Sequence, residues 1–169
     1  MLPRALPVKK PLLRNFSVTR SKATNLILFS IIVAILDGVF KFFALTRLPN
    51  EGSRALFPID FLLHKNPGIA FDIPIPMIII FLLTLVIVFS LAKFGIKTWK
   101  HEPEKSLASA LIVIGALGNL FDRFLNNFTT DYIILFGRSA INLSDILIIS
   151  GTILLLWYTE DRKRRTLSK

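Results

Sequence analysis

The chain has 169 residues, 53% of them hydrophobic, a formal charge of +10 and no cysteine. Its mean hydropathy is +0.60 and its isoelectric point is about 10.3. This excludes a disordered chain, which would be poor in hydrophobics. It excludes disulfides, a thiolate nucleophile and Cys-ligated metal. It also argues against a soluble nucleic-acid binder, because the charges crowd into a few stretches and leave long uncharged runs between them. The length allows one domain.

In chain order, residues 1–23 form a basic extension with Pro3, Pro7 and Pro11. It has no apolar core of its own and so does not read as a cleavable signal peptide. Four runs then reach the roughly 20 apolar residues that a membrane-spanning helix needs. They cover about 24–45, 75–94, 106–124 and 143–159. They are too long and continuous for barrel strands, which alternate polar and apolar residues. Residues 160–169 form a second basic tail. The expected architecture is a four-helix transmembrane bundle over 24–159.

Most of the 21 Lys and Arg fall in three places. Arg4, Lys9, Lys10, Arg14, Arg20 and Lys22 precede the first helix. Lys93, Lys97, Lys100 and Lys105 lie between the second and third. Arg162, Lys163, Arg164, Arg165 and Lys169 follow the fourth. These places share one side of the membrane, and the positive-inside bias makes that side cytoplasmic. Both termini are then inside. Segments 46–74 and 125–142 are outside. The basic ends anchor topology and attract anionic lipid.

Polar residues interrupt the apolar runs near the outer surface. Asp37 and Lys41 sit four apart on the first helix, in the favourable order for an ion pair. Asp37 lies about 20 Å along that helix, in the outer half. Asn66 and Gly68 follow in the first outer segment, within Asn66-Pro67-Gly68-Ile69-Ala70-Phe71. The third helix ends in Gly115-Ala116-Leu117-Gly118-Asn119-Leu120-Phe121-Asp122-Arg123. Its small residues admit another helix closely. Asn119 and Asp122 share a face. Residues 129–134 are rich in β-branched side chains and predict a short strand carrying Asp131. Asn142 and Asp145 open the fourth helix.

Topology thus gathers Asp37, Lys41, Asn66, Asn119, Asp122, Asp131, Asn142 and Asp145 at one depth. Capping accounts for Asn142 and Ser144 singly, and a turn for Asn66 and Gly68. Two close carboxylates in a poorly solvated place share a proton. One then takes a proton from water while the other polarises a carbonyl. That scheme needs no cofactor, metal, thiol or histidine. Neither His64 nor His101 is expected near the acids. A Ser144–Lys41 dyad is a weaker alternative, by depth only. Two other readings stand beside this acid-pair chemistry. One is a small proton-coupled transporter, although no internal repeat is visible. The other is a scaffold in which Asp37–Lys41 only joins helices. These residues alone do not rank Asp131 above Asp122.

In these motifs the chain resembles the bacterial lipoprotein signal peptidases, signal peptidase II. The motifs are D-x-x-x-K (Asp37, Lys41), N-x-G-x-A-F (Asn66, Gly68, Ala70, Phe71), G-A-L-G-N-x-x-D-R (Gly115 to Arg123), D-Y-I (Asp131 to Ile133) and N-x-x-D (Asn142, Asp145). The resemblance implies an inner-membrane aspartyl endopeptidase acting at the outer face. Its substrates would be prolipoproteins carrying diacylglycerol, cut just before the lipidated cysteine. Its partners would be those precursors and membrane lipids, not nucleic acid, and it would work as a monomer without cofactor. The resemblance assigns the catalytic dyad to Asp131 and Asp145. It assigns supporting or substrate-binding roles to Asp37, Lys41, Asn66, Gly68, Asn119, Asp122, Arg123 and Asn142. It also implies a small β-rich cradle outside the membrane, built from parts of 47–74 and 125–142. Pro67, Ile69, Ile141 and Ser144 depart from the commoner residues of the family pattern.

Overall fold

The computed structural model describes residues 18–50, 58–69 and 73–167, with side chains through Glu160. The basic extension up to residue 17, the side chains of the basic tail, and Ala70 and Phe71 lie outside the described residues. Four long helices are present: α1 (Arg20–Arg47), α2 (Met77–Thr98), α3 (Pro103–Asn126) and α4 (Leu143–Leu167). All four are long and apolar enough to cross a membrane. α3 is the central helix and packs against α1, α2 and α4.

The expected spans fall inside these helices, and the helices are longer. α1 begins four residues earlier than its apolar run, because Thr19 caps it by accepting from the Lys22 N–H. It ends at Leu48, before Pro49, which disfavours helix in the residue ahead of it. α3 begins at Pro103, where a missing N–H costs nothing. It ends at Asn127 in the left-handed conformation, φ 63°. α4 continues through the charged stretch to Leu167, since hydropathy locates the lipid-embedded part and not the end of the backbone ladder.

The bundle is apolar outside and small or polar inside. The buried residues of α1 are Ala23, Ser30, Asp37, Lys41 and Ala44, while Phe29, Ile35, Phe42 and Phe43 are exposed. Lipid is as apolar as leucine, so close approach of small residues, not burial of large ones, joins the helices. Gly115 shows this on α3. A Cβ there would run into the Ser144 carbonyl oxygen and lie 2.9 Å from Ile148 Cγ1 of α4. Gly118 meets the Ser144 hydroxyl in the same way. Gly115→Ala is expected to push α3 from α4 and cost about 1–3 kcal/mol. Thermal unfolding in detergent reads this as a lowered midpoint, and an unchanged midpoint would contradict the packing described.

Among the described residues, five strands lie at one end of the bundle. They are β1 (Ile59–Asp60), β2 (His64–Asn66), β3 (Thr129–Asp131), β4 (Ile133–Leu135) and β5 (Ser139–Ile141). They form two antiparallel sheets, ordered β1-β4-β5 and β2-β3. Segment 129–134 is therefore two strands, not one. Tyr132 divides them. Its ring is buried with Ala44 and Leu63, and its N–H donates to the Ile141 carbonyl at 3.2 Å. At the other end of the bundle the basic residues meet, with the Arg20 guanidinium donating to the Lys100 carbonyl at 2.8 Å.

Candidate active site

α1 contributes a buried ion pair. Lys41 Nζ lies 2.9 Å from Asp37 Oδ2, and the two residues are 4% and 1% exposed. One helical turn brings them together, as their spacing requires. Lys41 reaches further, donating to Asn119 Oδ1 at 2.8 Å and lying 3.6 Å from Asp122 Oδ2. Asn119 and Asp122 share the α3 face that receives this cation.

Asp37 also fastens the start of α4. Its Oδ1 accepts from the Tyr132 hydroxyl at 2.9 Å and the Leu143 N–H at 3.0 Å. Its Oδ2 accepts from the Ser144 hydroxyl at 2.6 Å. Burial first, then the charge of Asp37, hold the Tyr132 hydroxyl above its ordinary pKa, so it remains a donor. Ser144 gives its proton to a carboxylate and is fully buried, so the Ser144–Lys41 dyad has no geometry here.

Asn142 and Asp145 close a reciprocal cap on α4. The Asp145 N–H donates to Asn142 Oδ1 at 2.9 Å, and the Asn142 N–H donates to Asp145 Oδ2 at 3.1 Å. This is the capping-box arrangement with Asn and Asp in the two positions. The N-x-x-D motif is thus a helix start and an acid site together. Asn142 Nδ2 then donates to Asp131 Oδ1 at 2.6 Å. One fully buried asparagine therefore holds both acids.

The β2–β3 ladder delivers Asp131. Asn66 Nδ2 donates to Asp131 Oδ2 at 3.3 Å, while Asn66 Oδ1 accepts from the Gly68 N–H at 3.0 Å. Arg123 Nη2 donates to the Gly68 carbonyl at 3.0 Å and so ties this turn to α3. Successive strand residues face opposite sides. Thr130 turns to Asp122, whose oxygens accept from the Thr130 N–H at 2.6 Å and its hydroxyl at 3.2 Å. Asp122 also accepts from Asn126 Nδ2 at 2.7 Å. Asp131 turns the other way, into a cavity of about 520 Å³ that Asp145 also lines. Asp122 is a clamp among donors, whereas Asp131 and Asp145 face open space.

Burial pushes the Asp131 carboxyl up to about 7, and the negative charge of Asp145 adds to the rise. The hydrogen bonds from Asn142 and Asn66 and the charge of His64 oppose it. A carboxyl whose pKa is raised on folding holds its proton while the unfolded chain has lost it, so stability falls as pH rises between the two values. Wild-type protein is therefore expected to lose thermal stability relative to Asp131→Asn as pH rises from about 4 to about 7. Parallel melting curves for the two proteins over that range check it, and a constant difference would contradict it.

His64 corrects one expectation. It pairs directly with Asp131 across the ladder and lines the same cavity. Nothing local marks it, because the β2–β3 register joins residues 67 apart in sequence. Tyr132, Ser144 and Thr130 were also missed as partners of the acids. Ser144 had stood out only as a cap and a dyad candidate, Tyr132 only within the D-Y-I motif, and Thr130 only in the β-branched run.

The cavity passes from this polar level down between helices, where Thr84 of α2, Ala116 of α3, and Ile148 and Ile149 of α4 line it. A pair of acids at its head, one holding a proton near neutral pH, suits hydrolysis of a carbonyl group.

Comparison with known proteins agrees in sequence and fold. Residues 29–160 match the family described as Signal peptidase (SPase) II. A lipoprotein signal peptidase of Syntrophomonas wolfei is 34% identical over 129 residues, covering 75% of this chain and 86% of that protein. One from Clostridium novyi is 31% identical, covering 76% and 93%. A solved structure titled "Bacterial membrane enzyme structure by the in meso method at 2.3 A resolution" superposes with a TM-score of 0.73 at 27% identity, over 83% of this chain and 90% of that one. Four membrane-type helices, the small sheets at one end of the bundle and these matches agree, and the chain belongs to the signal peptidase II family of membrane proteases.

Proposed function

We propose that this protein is an intramembrane aspartyl endopeptidase that removes signal peptides from diacylglyceryl-modified prolipoproteins, cutting before the lipidated cysteine. The observation that carries the reading is the single asparagine, Asn142, joining Asp131 to Asp145 at the head of a cavity that continues between the helices. The family supports lipoprotein precursors as the substrate class. The cavity's apolar lower walls suit a lipidated, helical precursor entering sideways.

In the mechanism, one acid is ionised and the other protonated. The ionised carboxylate takes a proton from water, and the water oxygen bonds to the scissile carbonyl carbon. The protonated carboxyl gives its proton to the carbonyl oxygen, forming a neutral tetrahedral intermediate. Collapse re-forms the carbonyl and breaks the C–N bond. The departing amine takes the proton first removed from water, and the other acid recovers its own. Asn119 and Asn142 hold the acids in place, with Lys41 and Asp37 bracing them. Arg123 and Asn66 shape the turn at Gly68. The protein works as a monomer in the bacterial inner membrane, and the clustered basic ends support a topology with both termini cytoplasmic and the acids at the outer face.

The test is incubation of purified protein with a lipidated precursor and its unlipidated form. Mass spectrometry is expected to find a new N-terminal cysteine only from the lipidated one. No cleavage of either, or solute flux in liposomes without cleavage, would overturn the proposal.

A further inference from the structure

Thr129 stands on the cavity wall without a task in the chemistry above. It is 2% exposed, yet its hydroxyl has no hydrogen-bond partner among the described residues. Buried polar groups are almost always satisfied. Its direction follows from the strand. Thr130 turns to Asp122, so Thr129 and Asp131 share the opposite face. Thr129 lines the cavity with both acids, and Asn66 is its partner across the ladder.

A second orphan lies on the same cavity. Arg123 Nε is buried with no hydrogen-bond partner among the described residues, although its Nη2 donates to the Gly68 carbonyl. A guanidinium only donates, and a threonine hydroxyl donates readily. Two donors without partners among the described residues line this one cavity, and each calls for an acceptor. The acceptor chemistry available in the precursor is the carbonyl oxygen, present in its peptide backbone and in its acyl esters.

We propose that Thr129 Oγ1 donates to a carbonyl oxygen of the precursor and so fixes its register against Asp131 and Asp145, with Arg123 Nε a second donor on the same cavity. This rests on the peptidase reading. Thr129 is then a substrate-anchoring residue, whose loss weakens binding more than turnover.

The experiment uses the full chain as wild type, Thr129→Val and Thr129→Ser. The substrates are a diacylglyceryl precursor peptide and its ether-linked dialkyl analogue, which lacks the ester carbonyls. Thr129→Val is expected to raise KM about five- to tenfold, the loss of one neutral hydrogen bond. kcat stays within about twofold. Thr129→Ser restores KM. The melting point of Thr129→Val stays level or rises, because an unsatisfied buried hydroxyl has gone. A defect on both substrates assigns the partner to a backbone carbonyl. A defect on the ester substrate alone assigns it to the lipid. Wild-type KM for Thr129→Val on both substrates overturns the proposal. A lowered melting point with no rescue by serine overturns it too, in favour of a packing role. If the wild type cuts neither substrate, the peptidase reading falls and this proposal with it. If the wild type and Thr129→Val cut equally, only this proposal falls.

Discussion

Asp131→Asn and Asp145→Asn are each expected to lower precursor cleavage about 10³-fold. Neither amide can take the proton from water, and an amide is a poor acid toward the carbonyl. The fold is expected to survive. Both Asp131 oxygens accept from donors, Asn142 Nδ2 at 2.6 Å and Asn66 Nδ2 at 3.3 Å. An asparagine at 131 keeps its oxygen on the shorter bond and loses the longer one, a cost of about 1 kcal/mol. It also avoids ionising a buried group. At 145 the oxygens accept from Asn119 Nδ2 at 2.8 Å and the Asn142 N–H at 3.1 Å, and the same exchange applies. Asp122→Asn is the comparison. Its carboxylate is occupied by Thr130 and Asn126, so that variant is expected to lose stability first and far less cleavage than the other two. Initial rates at fixed substrate, with melting points for each variant, decide the matter. Near wild-type cleavage by Asp131→Asn or Asp145→Asn would remove that residue from the dyad.

Lys41→Met is expected to carry the largest stability loss, about 3–5 kcal/mol. The ammonium serves Asp37, Asn119 and Asp122 together. Without it, two buried carboxylates remain among apolar helices with no counter-charge from that position. Coulomb attraction is strong in such surroundings, and so is the penalty for leaving one partner alone. Adding Asp37→Asn to Lys41→Met is expected to recover part of the loss. An asparagine at 37 keeps one oxygen for Tyr132 and Leu143 and carries no charge. Thermal unfolding of the single and double variants measures the coupling. Wild-type stability in the Lys41 variant would show that the buried pair is not what holds α1 to α3 and α4.

Much of this was legible before the structure, for physical reasons. Lipid admits only long, self-satisfied apolar segments, so the four helices announce themselves. The Asp37–Lys41 pair follows from one turn of helix. Asn119 and Asp122 converge on Lys41 because three residues separate them. The residues taken alone did not rank Asp131 above Asp122, and only the family resemblance did, because their different surroundings depend on which way Thr130 points in β3. His64 was hidden for the same reason. It reaches Asp131 only through pairing of two distant strands, and no local pattern encodes that register. Tyr132 looked like one residue of a strand, whereas it stands between β3 and β4 with its hydroxyl bonded to Asp37.

The two neighbours of Asp131 point to how the site meets its substrate. Thr130 is fastened to α3 through Asp122, and Tyr132 to α1 through Asp37. The acid between them is bolted on both sides before any precursor arrives. Preorganisation of this kind leaves little for induced fit to assemble. Adjustment on docking then belongs to the incoming peptide, while the placement of Asp131 stays fixed.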